Sequence, residues 1–391
     1  MKFAERVENL PPYLFVGISR AIAAKKEQGI DVISFGIGDP DMPTPEPVLD
    51  ALVEGARNPA NHRYPESEGL PEFRTAVADF YQRRFGVKLN PATEVINLIG
   101  AKEGIAHTAL CFIDPGDISI SPTPAYPVYE IGTMFAGGTT HFVPLKEENG
   151  YLLDFSDIPT DVAKRAKTLW INYPNNPTGA VAPLSFFQEA VSYCKEFDIA
   201  LLHDAAYTEV TYDGYVAPSV LQADGAMDIA MEFHSLSKTA NMTGWRVGMA
   251  VGNPEMVNAL MRVKSNIDSG LSQANQEMGI AAMELPPEWL DNNNEVYRKR
   301  RDRVVSVLNE IGVPAVAPKG GLYIWTPVPD GYTSAEFAKM LLDEVNVVVT
   351  PGNGYGPGGE GYIRLSLTIP DNQIDEGLRR LSRLSIEARL P

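Results

Sequence analysis

The 391-residue sequence has few cysteines and histidines and no long apolar run. Its two cysteines, Cys111 and Cys194, are far apart and form no CxxC pair, so we expect neither a disulfide framework nor a zinc ribbon. The five histidines form no HExxH motif or ligand-spaced pair, which argues against a catalytic metal. No stretch reaches the roughly 18 uninterrupted apolar residues of a membrane span, and the N-terminus lacks the apolar core of a signal peptide. These absences predict a cytoplasmic protein that is not inserted in a membrane.

Positive charge is also scarce. The 33 basic residues are outnumbered by 50 acidic ones, which gives a formal net charge of -17. Such a charge repels phosphate backbones and anionic membrane surfaces, so nucleic acid is not expected as a partner. Hydrophobic residues make up 44% of the chain and charged residues 21%, which is ordinary globular usage and excludes a disordered chain or a coiled-coil rod.

Short apolar runs recur along the first 250 residues and predict strands that are buried on both faces. The segments between them have apolar residues at every third or fourth position, which is typical of helices. Strands that alternate with helices indicate an α/β fold with a mostly parallel sheet covered on both sides. The five runs are residues 95–99, 118–120, 169–171, 199–202 and 247–251.

The pattern changes near residue 290, and three units are predicted from such changes. Residues 1–45 form a proline-containing arm that could complete the C-terminal unit, residues 46–290 a large domain, and residues 291–391 a small α+β domain. The glycine-rich stretch 352–359 does not open a helix after a strand, as a dinucleotide fingerprint requires, and we interpret it as a loop near the substrate.

Residues 235–248 contain the most informative motif, with hydroxyl groups, a lysine and an arginine beside glycines. Lys238 can form a Schiff base with an aldehyde, while Ser235, Ser237 and Arg246 could bind a phosphate through charge-assisted hydrogen bonds. An aldehyde that carries a phosphate describes pyridoxal 5'-phosphate. A lysine in such a motif taken alone could also be an ordinary solvated loop residue.

This motif resembles the lysine segment of the class I/II aminotransferases, which are pyridoxal-phosphate enzymes of fold type I. Further motifs of that family occur in the same order, at residues 100–104, 172–179, 203–207 and 362–366, so the resemblance extends over essentially the whole chain. It implies a large domain with a mostly parallel seven-stranded sheet between helices and a smaller α+β domain.

The resemblance implies a role for each matching residue around the cofactor. Lys238 would be the covalent anchor and the base, and Asp204 would pair with the protonated pyridine nitrogen, which keeps the ring an effective electron sink. Tyr207 and Asn176 would hydrogen-bond the phenolate oxygen of the cofactor, and Tyr126 would stack on the ring.

The phosphate of the cofactor is expected where the backbone N–H groups of Ala101 and Lys102 emerge at the start of a helix, because the helix dipole favours an anion there. Ser235, Ser237 and Arg246 would complete this site. Tyr64 corresponds to a tyrosine that reaches the phosphate of the partner subunit in related enzymes, which implies a homodimer with shared active sites.

The substrates implied are an amino acid and a 2-oxo acid. Arg364 is the candidate for the α-carboxylate, because a guanidinium group meets a planar carboxylate in two parallel hydrogen bonds. Gly38 would let the backbone approach the same carboxylate, and Tyr126 and Asn176 would also contact the substrate. Two half-reactions through Lys238 predict ping-pong kinetics.

The side-chain specificity is predicted from a narrower resemblance, to the group of bacterial LL-diaminopimelate aminotransferases. It is carried by residues 10–15, 36–45, 232–238 and 241–246, while Ala240 departs from the tyrosine expected in that group. The predicted reaction joins LL-diaminopimelate to 2-oxoglutarate and glutamate, as part of lysine biosynthesis. Alanine or aspartate/glutamate aminotransferases and a carbon–sulfur β-lyase remain alternatives, whereas a pyridoxal-phosphate transcription regulator would need a DNA-binding module.

Overall fold

The computed structural model describes residues 1–11 and 14–384. Pro12 and Tyr13 of the N-terminal motif, and residues 385–391 of the predicted C-terminal unit, lie outside the described residues. Among the helices of the described ranges, none combines the length and the apolar character that crossing a membrane requires.

The described part of the chain contains helices and strands that mostly alternate. The helices are α1 (Glu5–Glu8), α2 (Leu14–Glu27), α3 (Glu46–Arg57), α4 (Pro71–Phe85), α5 (Ala101–Phe112), α6 (Val128–Phe135), α7 (Thr160–Ala163), α8 (Leu184–Phe197), α9 (Leu236–Thr239), α10 (Pro254–Lys264), α11 (Gln273–Met283), α12 (Pro287–Glu310), α13 (Ser334–Val345) and α14 (Asp371–Leu381). The strands are β1 (Ile33–Ser34), β2 (Val95–Ile99), β3 (Ile118–Thr123), β4 (Thr139–Pro144), β5 (Ala166–Ile171), β6 (Ala200–Asp204), β7 (Ala230–Ser235), β8 (Val247–Gly252), β9 (Tyr323–Pro327), β10 (Val347–Val348), β11 (Thr350–Pro351) and β12 (Tyr362–Ser366).

The central sheet has seven strands in the order β2-β8-β7-β6-β5-β3-β4, and only β8 runs antiparallel to its neighbours. The predicted α/β class with a mostly parallel seven-stranded sheet is therefore confirmed. Because the parallel strands end at the same edge, the residues that follow β2, β5, β6 and β7 converge there. The residue before β8, Arg246, lies at that edge as well, because β8 runs in the opposite direction.

Helices cover both faces of this sheet, and neighbouring residues of one strand pack into different layers. Leu201 packs with apolar residues of α4, α8 and α11, whereas Leu202 packs with those of α5, α6 and α10. Both leucines are fully buried, and each such burial contributes about 2 kcal/mol to folding. The strands are consequently apolar on both faces, which is the pattern that the sequence shows.

Strands β4 and β7 are not marked by the apolar runs. The edge strand β4 is largely accessible, and β7 carries the buried polar residues Glu232 and His234. The carboxylate of Glu232 accepts hydrogen bonds from Tyr81 Oη at 2.7 Å and from Ser219 Oγ at 2.9 Å, and His203 Nδ1 lies 2.8 Å away. These partners satisfy a charge that would otherwise be costly to bury.

A second core lies in the C-terminal part of the chain, around the antiparallel sheet β11-β12-β9. The N-terminal segment joins this core, since β1 pairs in parallel with β10 and Phe35 belongs to the same buried apolar cluster as Tyr297 and Ile374. The predicted boundary at residue 290 falls inside α12. The division into residues 1–45, 46–290 and 291–391 stays a prediction.

Candidate active site

A cavity of about 390 Å³ opens at the carboxyl edge of the central sheet. Its lining includes Ile37, Asp39 and Tyr323, which were not among the predicted site residues. The cavity brings together every predicted site residue except Tyr64, whose side chain is 87% exposed on the surface. The predicted residues that line it are Gly38, Ala101, Lys102, Tyr126, Asn176, Asp204, Tyr207, Ser235, Ser237, Lys238, Arg246 and Arg364.

Lys238 lies on the short helix α9, whose N-cap is Ser235; the Ser235 hydroxyl accepts a hydrogen bond from the backbone N–H of Ser237 at 3.2 Å. The Nζ atom of Lys238 donates to the carbonyl oxygen of Gly38 at 2.5 Å. Burial lowers the pKa of Lys238 below its usual value, although the nearby Tyr323 and Asp39 oppose this shift, and the guanidinium groups of Arg364 and Arg246 add to it. This shift favours the neutral amine, which is the form that can attack a carbonyl carbon.

Asp204 ends strand β6 and is almost fully buried. Its Oδ2 atom accepts a hydrogen bond from Tyr129 Oη at 2.7 Å, and its backbone carbonyl accepts one from Asn172 Nδ2 at 2.6 Å. Its Oδ1 atom is buried and has no hydrogen-bond partner in the described part of the chain. Burial raises the pKa of Asp204, although the hydrogen bond from Tyr129 opposes the rise.

The unpaired oxygen of Asp204 tests whether pyridoxal phosphate fits this cavity. A buried carboxylate oxygen without a donor costs free energy, and a protonated pyridine nitrogen is a cationic donor that would remove this cost. The residues therefore fit the ring of the cofactor. Tyr129 and Asn172 support Asp204 and were not among the predicted site residues.

A turn at the start of α5 has the form of a phosphate site. Gly100 adopts a φ of 72°, and a Cβ added there would lie 2.3 Å from Arg246 Nη2. Only glycine lets the guanidinium group come so close to this turn, which directly precedes the first N–H groups of the helix. Arg246 Nη1 donates to the carbonyl oxygen of Thr243 at 2.9 Å, which holds the side chain in this position.

Arg364 on β12 is almost fully buried and is held on several sides. Its Nη1 atom donates to Asn176 Oδ1 and its Nη2 atom to the carbonyl oxygen of Gly36, each at 2.9 Å. The ring centroids of Tyr323 and Tyr355 lie 3.9 Å and 5.0 Å from its Cζ atom. A cation with so fixed a plane is suited to a planar carboxylate.

Tyr207 and Tyr323 form a pair of buried hydroxyls whose oxygen atoms are 2.9 Å apart. Burial raises the pKa of Tyr207 well above its usual value, so its phenol keeps its proton near neutral pH. Tyr323 was not predicted from the sequence. No signal in the sequence marks it, because Tyr323 approaches Arg364 only through the pairing of β9 with β12, in which Trp325 lies opposite Arg364.

A group of metal-ligating residue types lies on α5 and just after the end of α10, outside the cavity. The potential ligand atoms of Glu103, His107 and Asp268 lie within 4.8 Å of one another. Lys264 Nζ is 2.9 Å from both carboxylate oxygens of Asp268 and 3.5 Å from Glu103 Oε2. An ammonium group thus balances these carboxylates.

A larger cavity of about 910 Å³ lies between α4 and α12 and contains none of the predicted site residues. Two arginines in its lining are paired, Arg84 with Glu209 and Arg298 with Glu295. The smaller cavity at the sheet edge, with its unpaired carboxylate oxygen and a lysine of lowered pKa, is the one suited to catalysis.

Comparison with known proteins agrees with this geometry. The family model of aminotransferase class I and II matches residues 30–381. An LL-diaminopimelate aminotransferase from Dehalococcoides mccartyi (strain ATCC BAA-2266 / KCTC 15142 / 195) is 58% identical over 99% of this chain and 100% of its own length. One from Moorella thermoacetica is 56% identical over 98% of both chains. A double mutant of the Thermus thermophilus aspartate aminotransferase superposes with a TM-score of 0.91 at 28% identity, over 98% of this chain and 99% of that chain.

The fold and the cavity are those of an enzyme that transfers amino groups. The chain belongs to the class I and II aminotransferases.

The turn at Gly100 generates a test. We expect Gly100→Ala to weaken binding of pyridoxal phosphate at least about ten-fold, because the new Cβ displaces Arg246 from the phosphate site. Titration of the apoprotein with the cofactor, followed by absorbance, measures this affinity.

The matched control is Gly86→Ala at the end of α4, where φ is 69° and an added Cβ would meet no atom within 4 Å. It introduces the same backbone strain without the clash, so its cofactor affinity should stay within about two-fold of the parent. Equal affinities for the two variants would contradict the assignment of this turn.

Proposed function

We propose that this aminotransferase uses pyridoxal 5'-phosphate to move the α-amino group between LL-diaminopimelate and 2-oxoglutarate. The observation that carries the substrate proposal is the identity of 58% and 56%, over essentially the full length, to relatives named LL-diaminopimelate aminotransferase. The aspartate aminotransferase of similar fold is only 28% identical, which favours the first substrate class over the second.

The residues that would hold the cofactor surround one cavity. Asp204 would pair with the pyridine nitrogen, Tyr126 would contact the ring, and Tyr207 with Asn176 would donate to its phenolate oxygen. The phosphate would lie against the start of α5 and Arg246, with the hydroxyls of Ser235 and Ser237 beside it. When bound, the cofactor supplies an aldehyde for Lys238 and the amino acid, and an electron-withdrawing ring.

The protein residues then divide the work of the reaction. Arg364 binds and orients the α-carboxylate of the substrate, which fixes the α-carbon relative to Lys238. The lowered pKa of Lys238 favours the neutral amine, so its Nζ atom can accept the proton that leaves the α-carbon. Asp204, kept from water by burial, stabilises positive charge in front of its Oδ1 atom.

Ala240 does not conflict with the proposed substrate. Its side chain is fully buried and packs in the large apolar core. Ala240 does not line the cavity, so the alanine in place of the expected tyrosine affects the packing behind the site and not the cavity lining.

The substrate proposal is tested by assaying amino donors against 2-oxoglutarate, with LL- and meso-diaminopimelate, alanine and aspartate compared. We expect the highest kcat/KM for LL-diaminopimelate. Activity confined to alanine or aspartate would overturn the substrate proposal. Release of ammonia and pyruvate from an amino acid alone would indicate a β-lyase.

Arg364→Lys should lower kcat/KM at least about 100-fold, since lysine cannot make the bidentate contact.

We further propose a homodimer in which Tyr64 completes the cofactor site of the partner subunit. Tyr64 follows a short helical turn at Pro59–His62 and is 87% exposed, so its side chain is available for a second copy. This tyrosine is the predicted site residue that does not line the cavity of its own chain.

Light scattering tests the dimer and should give about twice the 42.7 kDa chain mass. Tyr64→Phe should weaken cofactor binding, because it removes the hydroxyl that would reach the partner's site. The control Tyr193→Phe on α8 should not weaken it. A mixed dimer of Tyr64→Phe and Lys238→Ala chains should contain one intact site, because Tyr64 acts on the other subunit. A mixed dimer with only the weakened affinity of Tyr64→Phe would contradict the shared site.

A further inference from the structure

Tyr323 lies between two groups that the proposed mechanism treats separately. It begins strand β9, is 3% exposed, and sits diagonally across from Arg364 on the neighbouring strand β12. The face of its ring is 3.9 Å from the guanidinium carbon of Arg364, while its hydroxyl oxygen is 2.9 Å from that of Tyr207. One side chain therefore contacts both the carboxylate-binding residue and a residue expected at the phenolate oxygen of the cofactor.

The same hydroxyl is packed against the backbone of Gly38. A Cβ added to Gly38 would lie 2.1 Å from Tyr323 Oη, so this glycine is required by the position of the tyrosine. The carbonyl oxygen of Gly38 in turn accepts the hydrogen bond from Lys238 Nζ. The position of Tyr323 is thus fixed by its surroundings on three sides.

The direction of the hydrogen bond between the two tyrosines follows from what Tyr207 has to do. A phenol has one proton to donate, and Tyr207 retains it because burial raises its pKa. If Tyr207 donates this proton to a phenolate oxygen, it can only accept from Tyr323. A hydroxyl that accepts a hydrogen bond is also a stronger donor to the next group.

We propose that Tyr323 is a positioning residue that acts on both partners: its hydroxyl aims the proton of Tyr207 at the phenolate oxygen of the cofactor, and its ring holds the plane of Arg364. The inference rests on the proposed use of pyridoxal phosphate, but not on the identity of the amino donor.

Tyr323→Phe tests the first role, because it removes the hydroxyl and keeps the ring. Donation to the phenolate oxygen favours the unprotonated form of the lysine–cofactor linkage, so weakening it should raise the pH midpoint of the visible absorption change by about half a unit. The charged groups that act on Tyr207 and Lys238, namely Arg364, Asp204, Asp39 and Arg246, are unchanged in this variant.

A double-mutant cycle separates positioning from a general disturbance. Tyr207→Phe should raise the midpoint further, and adding Tyr323→Phe to it should change the midpoint by less than about 0.2 units, because no proton remains to be aimed. Additive shifts, or no shift in Tyr323→Phe alone, would overturn the first role.

The second role is tested with glutarate, a dicarboxylate that has no keto group and cannot react. Tyr323→Leu removes the ring below Arg364 and should weaken glutarate binding to the cofactor-loaded protein about ten-fold, whereas Tyr323→Phe should stay within about two-fold of the parent. Equal weakening in both variants would overturn the role of the ring.

Tyr355→Phe is the matched control. Its ring also lies near Arg364, at 5.0 Å, but the hydroxyl partner that the structure gives Tyr207 is Tyr323. It should leave the pH midpoint unchanged, and a shift as large as that of Tyr323→Phe would overturn the inference. If the variants show these shifts but the parent protein does not accept LL-diaminopimelate, the substrate proposal fails and this inference stands.

Discussion

The buried carboxylate of Asp204 is the constraint around which the cavity is organised. One of its oxygens is satisfied by Tyr129, while the other has no donor within residues 1–11 and 14–384. An isolated buried carboxylate costs several kcal/mol, which is why burial raises its pKa. A cationic N–H donor in the cavity would offset that cost. The unpaired oxygen thus lowers the stability of the fold locally and makes the cavity favourable to positive charge.

The central sheet makes this arrangement possible by separating two polar systems. His203 and Asp204 are consecutive on β6 and therefore point to opposite faces. Asp204 faces the cavity, whereas His203 lies 2.8 Å from Glu232 and packs against Phe187 in the opposite layer. Both carboxylate oxygens of Glu232 have hydrogen-bond partners on that side of the sheet. Of these two buried carboxylates, the one that a ligand can reach is therefore the one with an unsatisfied oxygen.

The sequence predicts the sheet and most of the site for a physical reason. Runs of apolar residues identify β2, β3, β5, β6 and β8, and functional residues placed directly after parallel strands must meet at one edge. Strand β7 is not predicted in this way, because Glu232 and His234 interrupt its apolar pattern. Glu232 can be buried there only because hydrogen-bond donors from other parts of the chain satisfy its carboxylate. The pairing of Tyr323 with Tyr207 depends on residues 116 positions apart, which no local pattern reports. The role of Tyr64 depends on a second chain and stays a prediction.

The central claim is that the buried amine of Lys238 is the group that binds the aldehyde. Incubation with pyridoxal phosphate, borohydride reduction of the linkage, and mass spectrometry of the digested protein test this claim directly. We expect a stable pyridoxyl group on the peptide that contains Lys238. A group found instead on Lys102, which lines the same cavity, or no modified peptide at all, would contradict it.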